Sequence, residues 1–440
     1  MTHTDLDLDT RARQLDGEHV FHSWSAQTAL ELPVLAGGSG CRVWDHAGRS
    51  WLDFSSQMIN VNVGHQHPAV VQAIADQARQ LSFCSPAVAS LPRGEAARRI
   101  TERAPAGFRK VFFTNGGADA VENAIRMARL HTGRDKVLSA YRSYHGNTGA
   151  AVAATGDWRR LPNEYSRGHV HFFGPYLYRS EFYSTSAEQE SERALRHLER
   201  IVQCEGPDTV AAILLESVPG TAGVLVPPPG YLAGVREIAD RYGIVLVLDE
   251  VMAGFGRTGR WFAFTGHGGE PDLIVFAKGV NSGYVPVGGV IIADHIAATF
   301  EDRVFPGGLT YSGHPLAAAS IVATLDTMAA EGIVANADRI GREVLGPALA
   351  DLADRFPMIG EVRGEGVFWV AELVANRDTR EPISAAVMAR CKRELAARGV
   401  LSLTAENRIH VAPPCVVTDA EVSEAVAVLH EVLALAKGWV

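Results

Sequence analysis

Along the middle of the chain, short apolar runs alternate with amphipathic stretches. "VFFT" (Val111 to Thr114) precedes a stretch from Ala118 to His131 in which Val121, Ala124, Ile125 and Ala128 recur at helical spacing. "VAAILLES" (Val210 to Ser217) is bounded by Pro207 and Pro219. "PGYLAGVREIADRYG" has the pattern of a helix, and "IVLVLDE" follows it directly, with "DLIVFAK" and "GGVIIAD" further on. Runs that are apolar at nearly every position suit strands buried on both faces. Strand, helix and strand in succession predict an α/β fold, with a mainly parallel central sheet covered by helices.

The two ends of the chain are patterned differently. After about residue 330 there is a helix-like run near Met388 to Gly399, short strands at "VFWVAEL" and "RIHVAPP", and a last helix from Asp419 to Ala436. Near the other end, "RVWDHAGRSWLDFSS" has the form of a hairpin turning at His46 to Gly48. The expected organisation is a large domain over 76–330. Residues 1–75 supply an N-terminal segment and part of a smaller α+β domain, which 331–440 completes.

Composition narrows the class. A chain of 440 residues, 47% of them hydrophobic, has material for a large core and more than one domain. The net charge of −9 is spread over both signs with no basic block, which argues against nucleic acid or an anionic membrane as partner. The first twenty residues are polar and acidic, unlike a secretory signal, and no apolar run is long enough to span a bilayer. The cysteines, at 41, 84, 204, 391 and 415, show neither zinc spacing nor obvious pairing, which fits a reducing cytoplasm. His65 and His67 in "GHQHP" suit a turn before a helix, and no metal site is expected.

The candidate chemistry lies at the ends of the apolar runs. Asp249 ends "LVLD" and is followed by the glycine-rich "GFGRTG"; Lys278 ends "DLIVFAK" and is followed by Gly279 and Gly283. Ligands of parallel sheets sit beyond the carboxyl ends of the strands, so the acid and the amine are placed to share one crevice. The plainer alternative is a salt bridge capping two strand ends. A further element favours a ligand: in "VFFTNGGADAVENAIRMAR" a strand ends at Thr114, Asn115 to Gly117 turn, and a helix begins. Free N–H groups at a helix start bind anions, and glycines let the anion approach. A phosphate cradle, a carboxylate for a ring nitrogen and a lysine for an aldehyde together describe pyridoxal 5′-phosphate.

With "LVLDEVMAGFGRTG" followed by "PDLIVFAKGVNSGYVPVGG", the chain resembles class III pyridoxal-phosphate aminotransferases, the family of ω-amino-acid and amine transaminases. The likeness runs from "FHSW" to "HVAPP". It implies the fold type I architecture, like that of aspartate aminotransferase. It also implies a homodimer with shared active sites, or a tetramer built from it. By the resemblance, Lys278 is the Schiff-base lysine and proton carrier, and Asp249 keeps the pyridine nitrogen protonated. Val251 covers one ring face, and Tyr144 stacks on the other beside His145. Gly116, Gly117 and Ala118 bind the phosphate, and Thr310 reaches the phosphate of the neighbouring subunit's cofactor. Glu216 matches a segment near the cofactor, where a structural role is the alternative.

The same resemblance bears on substrates. Thr221 stands where glutamate- and ornithine-type relatives carry a carboxylate, and Met252 where 4-aminobutyrate enzymes often carry glutamine. Both departures point away from 2-oxoglutarate and towards pyruvate as acceptor. Arg408, in "AENRIHVAPP", is the candidate for binding a substrate carboxylate, with a surface strand arginine as the alternative. Trp24, Met58 and Ile59 fall where relatives line the substrate pocket, though they equally suit ordinary core. The expected substrates are a small primary amine or ω-amino acid and a small keto acid. An aminomutase, a racemase or a decarboxylating transaminase would share these motifs. A nucleotide-dependent dehydrogenase is disfavoured, because no G-x-G-x-x-G joins a first strand to its helix.

Overall fold

The computed structural model describes residues 7–29, 33–163 and 166–439. Its centre is a seven-stranded sheet in the spatial order Phe108–Thr114, Gly288–Ala293, Leu273–Phe276, Val245–Asp249, Val210–Glu216, Lys136–Ala140 and His169–Phe172. Every neighbouring pair is parallel except the two made by Gly288–Ala293. That strand follows Phe276 after a link with a single 3₁₀ turn, Lys278–Val280. A parallel crossover needs a longer connection, usually a helix, so the chain returns antiparallel.

The apolar runs are strands because both faces are covered. Every residue of Val210–Glu216, Val245–Asp249 and Leu273–Phe276 is buried. Helix Gly117–Thr132 buries Val121, Ala124, Ile125 and Ala128, the residues whose spacing predicted it, and stops at Gly133 in the left-handed region (φ 70°). Helix Tyr231–Tyr242 ends the same way at Gly243 (φ 59°) and feeds straight into Val245–Asp249.

Both chain ends contribute to the smaller α+β domain. The N-terminal hairpin, Arg42–Trp44 with Ser50–Asp53, is extended by Val400–Leu401, which runs parallel to Ser50–Asp53. An antiparallel sheet in the order Ile359–Glu365, Phe368–Asn376, Arg408–Val411 and Leu403–Ala405 completes it. The last helix, Asp419–Ala436, begins with a reciprocal cap between Thr418 and Glu421.

Arg257 ties the "GFGRTG" loop to both chain ends. It is fully buried, and its guanidinium donates to Ser56 Oγ (3.2 Å), Asn62 Oδ1 (2.7 Å) and the carbonyls of Val367 (3.3 Å) and Pro413.

Two sequence expectations need correction. Lys278 does not end a strand: the strand stops at Phe276, and Lys278 opens the 3₁₀ turn with φ 45°. The region after residue 330 also holds more helix than the pattern suggested, Ile333–Ile340 and Gly346–Arg355, joined by the π turn Gly341–Leu345. Gly346 and Pro347 look like a break, but Pro347 lies in the first turn of its helix, where a missing N–H costs little.

Candidate active site

Beyond the carboxyl ends of the central strands lies a cavity of about 390 Å³. The register explains what meets there. Glu216 is paired with Asp249, and Asp249 with Val275, so both acids and the segment leading to Lys278 emerge at one level. Lys278, Asp249 and Glu216 all line the cavity. So do Gly116, Gly117 and Ala118 at the start of helix Gly117–Thr132. Tyr144, His145 and Val251 complete the set of cavity-lining residues that the sequence singled out for the cofactor.

Asp249 is buried, and both of its oxygens are engaged. Oδ1 accepts the Val251 N–H at 3.0 Å, and Oδ2 lies 2.9 Å from Nδ1 of buried His145. A carboxylate oxygen only accepts, so Nδ1 carries the proton in this pair. Nε2 of His145 is buried with no protein partner. Glu216 is held by backbone donors, the Tyr144 N–H and the Gly220 N–H, each at 2.9 Å. Burial raises its carboxyl above the usual range, and Asp249 adds to the rise.

Burial also lowers the Lys278 amine, to about 8. Asp249 and Glu216 oppose the fall, while Arg257 and Arg159 assist it. An amine in that range is partly neutral at physiological pH and is a competent nucleophile. The glycines after Lys278 are demanded by close neighbours. A side chain at Gly279 or Gly283 would strike the carboxamides of Asn62 and Asn60, so these glycines make room for neighbours rather than for the amine.

Five predicted residues are not brought to the cavity wall. Trp24 and Met58 are 59% and 47% exposed. Ile59 is buried in an apolar cluster with Val218, Ala253 and Phe368; its successor, Asn60, lines the cavity instead. Thr310 is exposed. Arg408 pairs with Glu406 at 2.5 Å and packs so closely on Gly223 that a Cβ there would lie 2.5 Å from its Cδ. Thr221 is likewise off the wall, whereas Met252 is on it.

Sequence reasoning missed Asn60, Asn115, Asn147 and Asn281, which also line the cavity. Asn115 and Asn281 lie within motifs already quoted, and Asn147 two residues after His145, so adjacency was a usable signal. Asn60 carried none. Among the described residues no group of three or more His, Cys, Asp or Glu is arranged to hold a metal ion.

The family model for class III aminotransferases matches residues 25–433. A taurine–pyruvate aminotransferase of Rhodobacter capsulatus is 34% identical, over 92% of this chain and 93% of its own. A putrescine–pyruvate aminotransferase of Pseudomonas aeruginosa is 33% identical, over 91% and 90%. The solved structure of a taurine:2-oxoglutarate aminotransferase from Bifidobacterium kashiwanohense, in complex with pyridoxal phosphate and glutamate, superposes with a TM-score of 0.94. It shares 39% identity over 97% of this chain and 98% of that one. The chain belongs to the class III aminotransferases. It is a pyridoxal-phosphate enzyme that transfers an amino group from an amine to a keto acid.

The residues present fit that cofactor. Gly116 faces open space, as a close-approach anion site requires, and a Cβ on Gly117 would press to 3.0 Å from Val251 Cγ2. Gly146 (φ 134°) would meet Ala118 at 2.5 Å, so only glycine lets the "YHG" turn reach the helix start. The cavity thus joins helix N–H groups for a phosphate, a buried carboxylate and an amine.

Proposed function

We propose that this enzyme is a pyruvate-linked ω-transaminase, taking the amino group from a small ω-amino acid or primary amine such as taurine, β-alanine, 4-aminobutyrate or a diamine. The observation that carries the reading is the meeting of Lys278, Asp249 and the Gly116–Ala118 helix start on one cavity. Gly116, Gly117 and Ala118 would hold the phosphate, Tyr144 and Val251 would flank the ring, and Asp249 would pair with its nitrogen. Bound there, pyridoxal phosphate supplies an aldehyde for the amino group and a ring that draws electrons from the substrate carbon.

The protein's own part is positional and electrostatic. His145 and the Val251 N–H fix the Asp249 carboxylate in one orientation, so its charge is held ready for a cationic ring nitrogen. Glu216 holds the backbone of Tyr144, and so sets that ring's place on the wall. Lys278, lowered by burial, would take up at Nζ the proton released by the substrate carbon and hand it back to the reacting molecule.

The relatives divide on the acceptor, since those named above use pyruvate in two cases and 2-oxoglutarate in the third. Uncharged Thr221 and apolar Met252 favour pyruvate. A panel of amines tested against both acceptors decides it: alanine formed faster than glutamate supports the reading, and the reverse order overturns it.

A homodimer in the cytoplasm is part of the same proposal. Thr310 is exposed, and Phe83 and Tyr311, in edge contact at 5.8 Å, are 41% and 56% exposed. A partner covering this face would place Thr310 at the partner's phosphate. Sedimentation of an active monomer would overturn it. So would failure of Lys278→Ala and Thr310→Ala chains to restore activity on mixing.

A further inference from the structure

We infer that Arg159, rather than Arg408, receives the acid group of an anionic substrate, with Asp157 as its resting partner. This deepens the transaminase reading above and rests on it. The geometry begins at Tyr144, which lines the cavity. The Arg159 guanidinium lies over that ring, 3.8 Å from its centroid. A cation therefore stands one side chain away from the wall. An aromatic face orients a guanidinium and leaves its N–H edge free to form in-plane bonds.

The charge also reaches the reacting amine. Burial is the main cause of the lowered Lys278, and Arg159 acts in the same direction. The other arginine contributing there, Arg257, is fully buried and committed to carbonyls, Ser56 and Asn62.

Arg159 is paired in a way that an incoming anion can undo. Its Nε donates to both oxygens of Asp157 at 3.0 Å, and Nη2 donates to Oδ2. Nη1 stands outside that pair. Asp157 is held locally, since the Arg159 N–H donates to its Oδ1 at 2.9 Å. The two side chains are 16% and 24% exposed, so water, and an anion in its place, reaches them. Partly wet ion pairs are weak, and a carboxylate or sulfonate offering a two-oxygen face competes well. Asp157 thus shields the Arg159 charge while no anion is bound.

Such a pair suits a site that meets charged and uncharged molecules in turn. With an uncharged amine bound, Arg159 stays on Asp157 and no lone cation is left. With a keto acid, or an ω-amino acid bearing a carboxylate or sulfonate, the fork turns to the substrate anion. Neither arginine lines the wall itself, but Arg159 lies over cavity-lining Tyr144, whereas Arg408 packs its stem on Gly223 beside Glu406.

The test uses the holoenzyme and ethanesulfonate, an anion with no amine to transfer, titrated by calorimetry. Arg159→Met should weaken binding at least tenfold, and Arg159→Lys should fall between it and wild type. Asp157→Asn should tighten binding severalfold, which a merely structural role would not produce. Arg408→Met should stay within about twofold of wild type. In single half-turnovers, kcat/KM of Arg159→Met should fall ten- to a hundredfold further for taurine than for butylamine. Absence of ethanesulfonate binding to wild type, equal losses on both amines, or a loss confined to Arg408→Met would overturn the assignment. A wild-type enzyme that converts no amine would sink the transaminase reading instead, while the calorimetry still decides Arg159.

Discussion

Glu372 and Glu216 are both buried carboxylates, and they are stabilised by opposite means. Glu372, on the small-domain sheet, accepts from Arg179 Nε at 2.6 Å, lies 2.9 Å from Arg363 Nη2 and is bonded by the Tyr176 hydroxyl. Burial alone would raise it; Arg363, Tyr176 and Arg179 outweigh burial and hold it at about 2. Glu216, on the cavity wall, has only two backbone N–H groups, and burial prevails. Its neighbour Glu250, with the Ala263 and Phe264 N–H groups, is pushed up to about 7 by burial. The first region has its counter-charges in place and works as a clamp between the sheet and the Tyr176–Arg179 segment. The second is short of positive charge. That deficit is what a cationic cofactor ring and a protonated lysine would fill.

The comparison breaks most visibly at the cavity. Lys278→Ala and Asp249→Asn should each lower turnover by about a thousandfold or more, with little change in melting temperature. A large loss of stability without loss of turnover would reverse the roles assigned to the two regions.

At the clamp, the expected effect is on folding. Glu372→Gln should cost about 3 kcal/mol, because two half-buried guanidinium groups lose their buried partner. The pH dependence follows from the lowered value. An unfolded glutamate takes up its proton near 4.5, the folded one near 2. The stabilisation is therefore complete above about 4.5 and is lost as pH falls towards 2. Chemical denaturation across that range should show a shallower acid slope in Glu372→Gln than in wild type; parallel slopes would contradict the clamp.

A smaller effect concerns the amine. In enzyme stripped of cofactor, the rate at which Lys278 captures added pyridoxal phosphate should rise with pH and level off above about 8, not above 10. Asp249→Asn should move the midpoint lower, since Asp249 holds the amine up. An unmoved midpoint would separate the two groups electrostatically. Smallest of all, Gly117→Ala should weaken cofactor binding by about 1 kcal/mol as its Cβ crowds Val251, measured by equilibrium titration.

What was legible in the sequence follows from how local each signal is. Asp249 ends an apolar run, Lys278 closely follows one, and Gly116 follows another, so the strand-end rule pointed to the edge of the sheet that borders the cavity. The helix Gly117–Thr132 was legible because its buried face repeats at helical spacing. The substrate side was not. Arg159 comes near the cavity only because a 3₁₀ segment, Trp158–Asn163, lays it over Tyr144, and no periodicity records that contact. Ile59 and Asn60 sit in an irregular turn where consecutive residues have positive φ, so alternation could not say which of them meets the cavity. Arg408 was reached from a linear motif that also holds its partner Glu406, while the packing of its stem is set by Gly223 from a distant loop.

The most direct measurement is chemical. Holoenzyme is reduced with borohydride, digested, and the pyridoxyl-bearing peptide is sequenced by mass spectrometry. The label should lie on Lys278 in "DLIVFAKGVNSGY", with none elsewhere. A label on any other lysine, or cofactor released unreduced from a fully active enzyme, would contradict the assignment of this cavity as the active site.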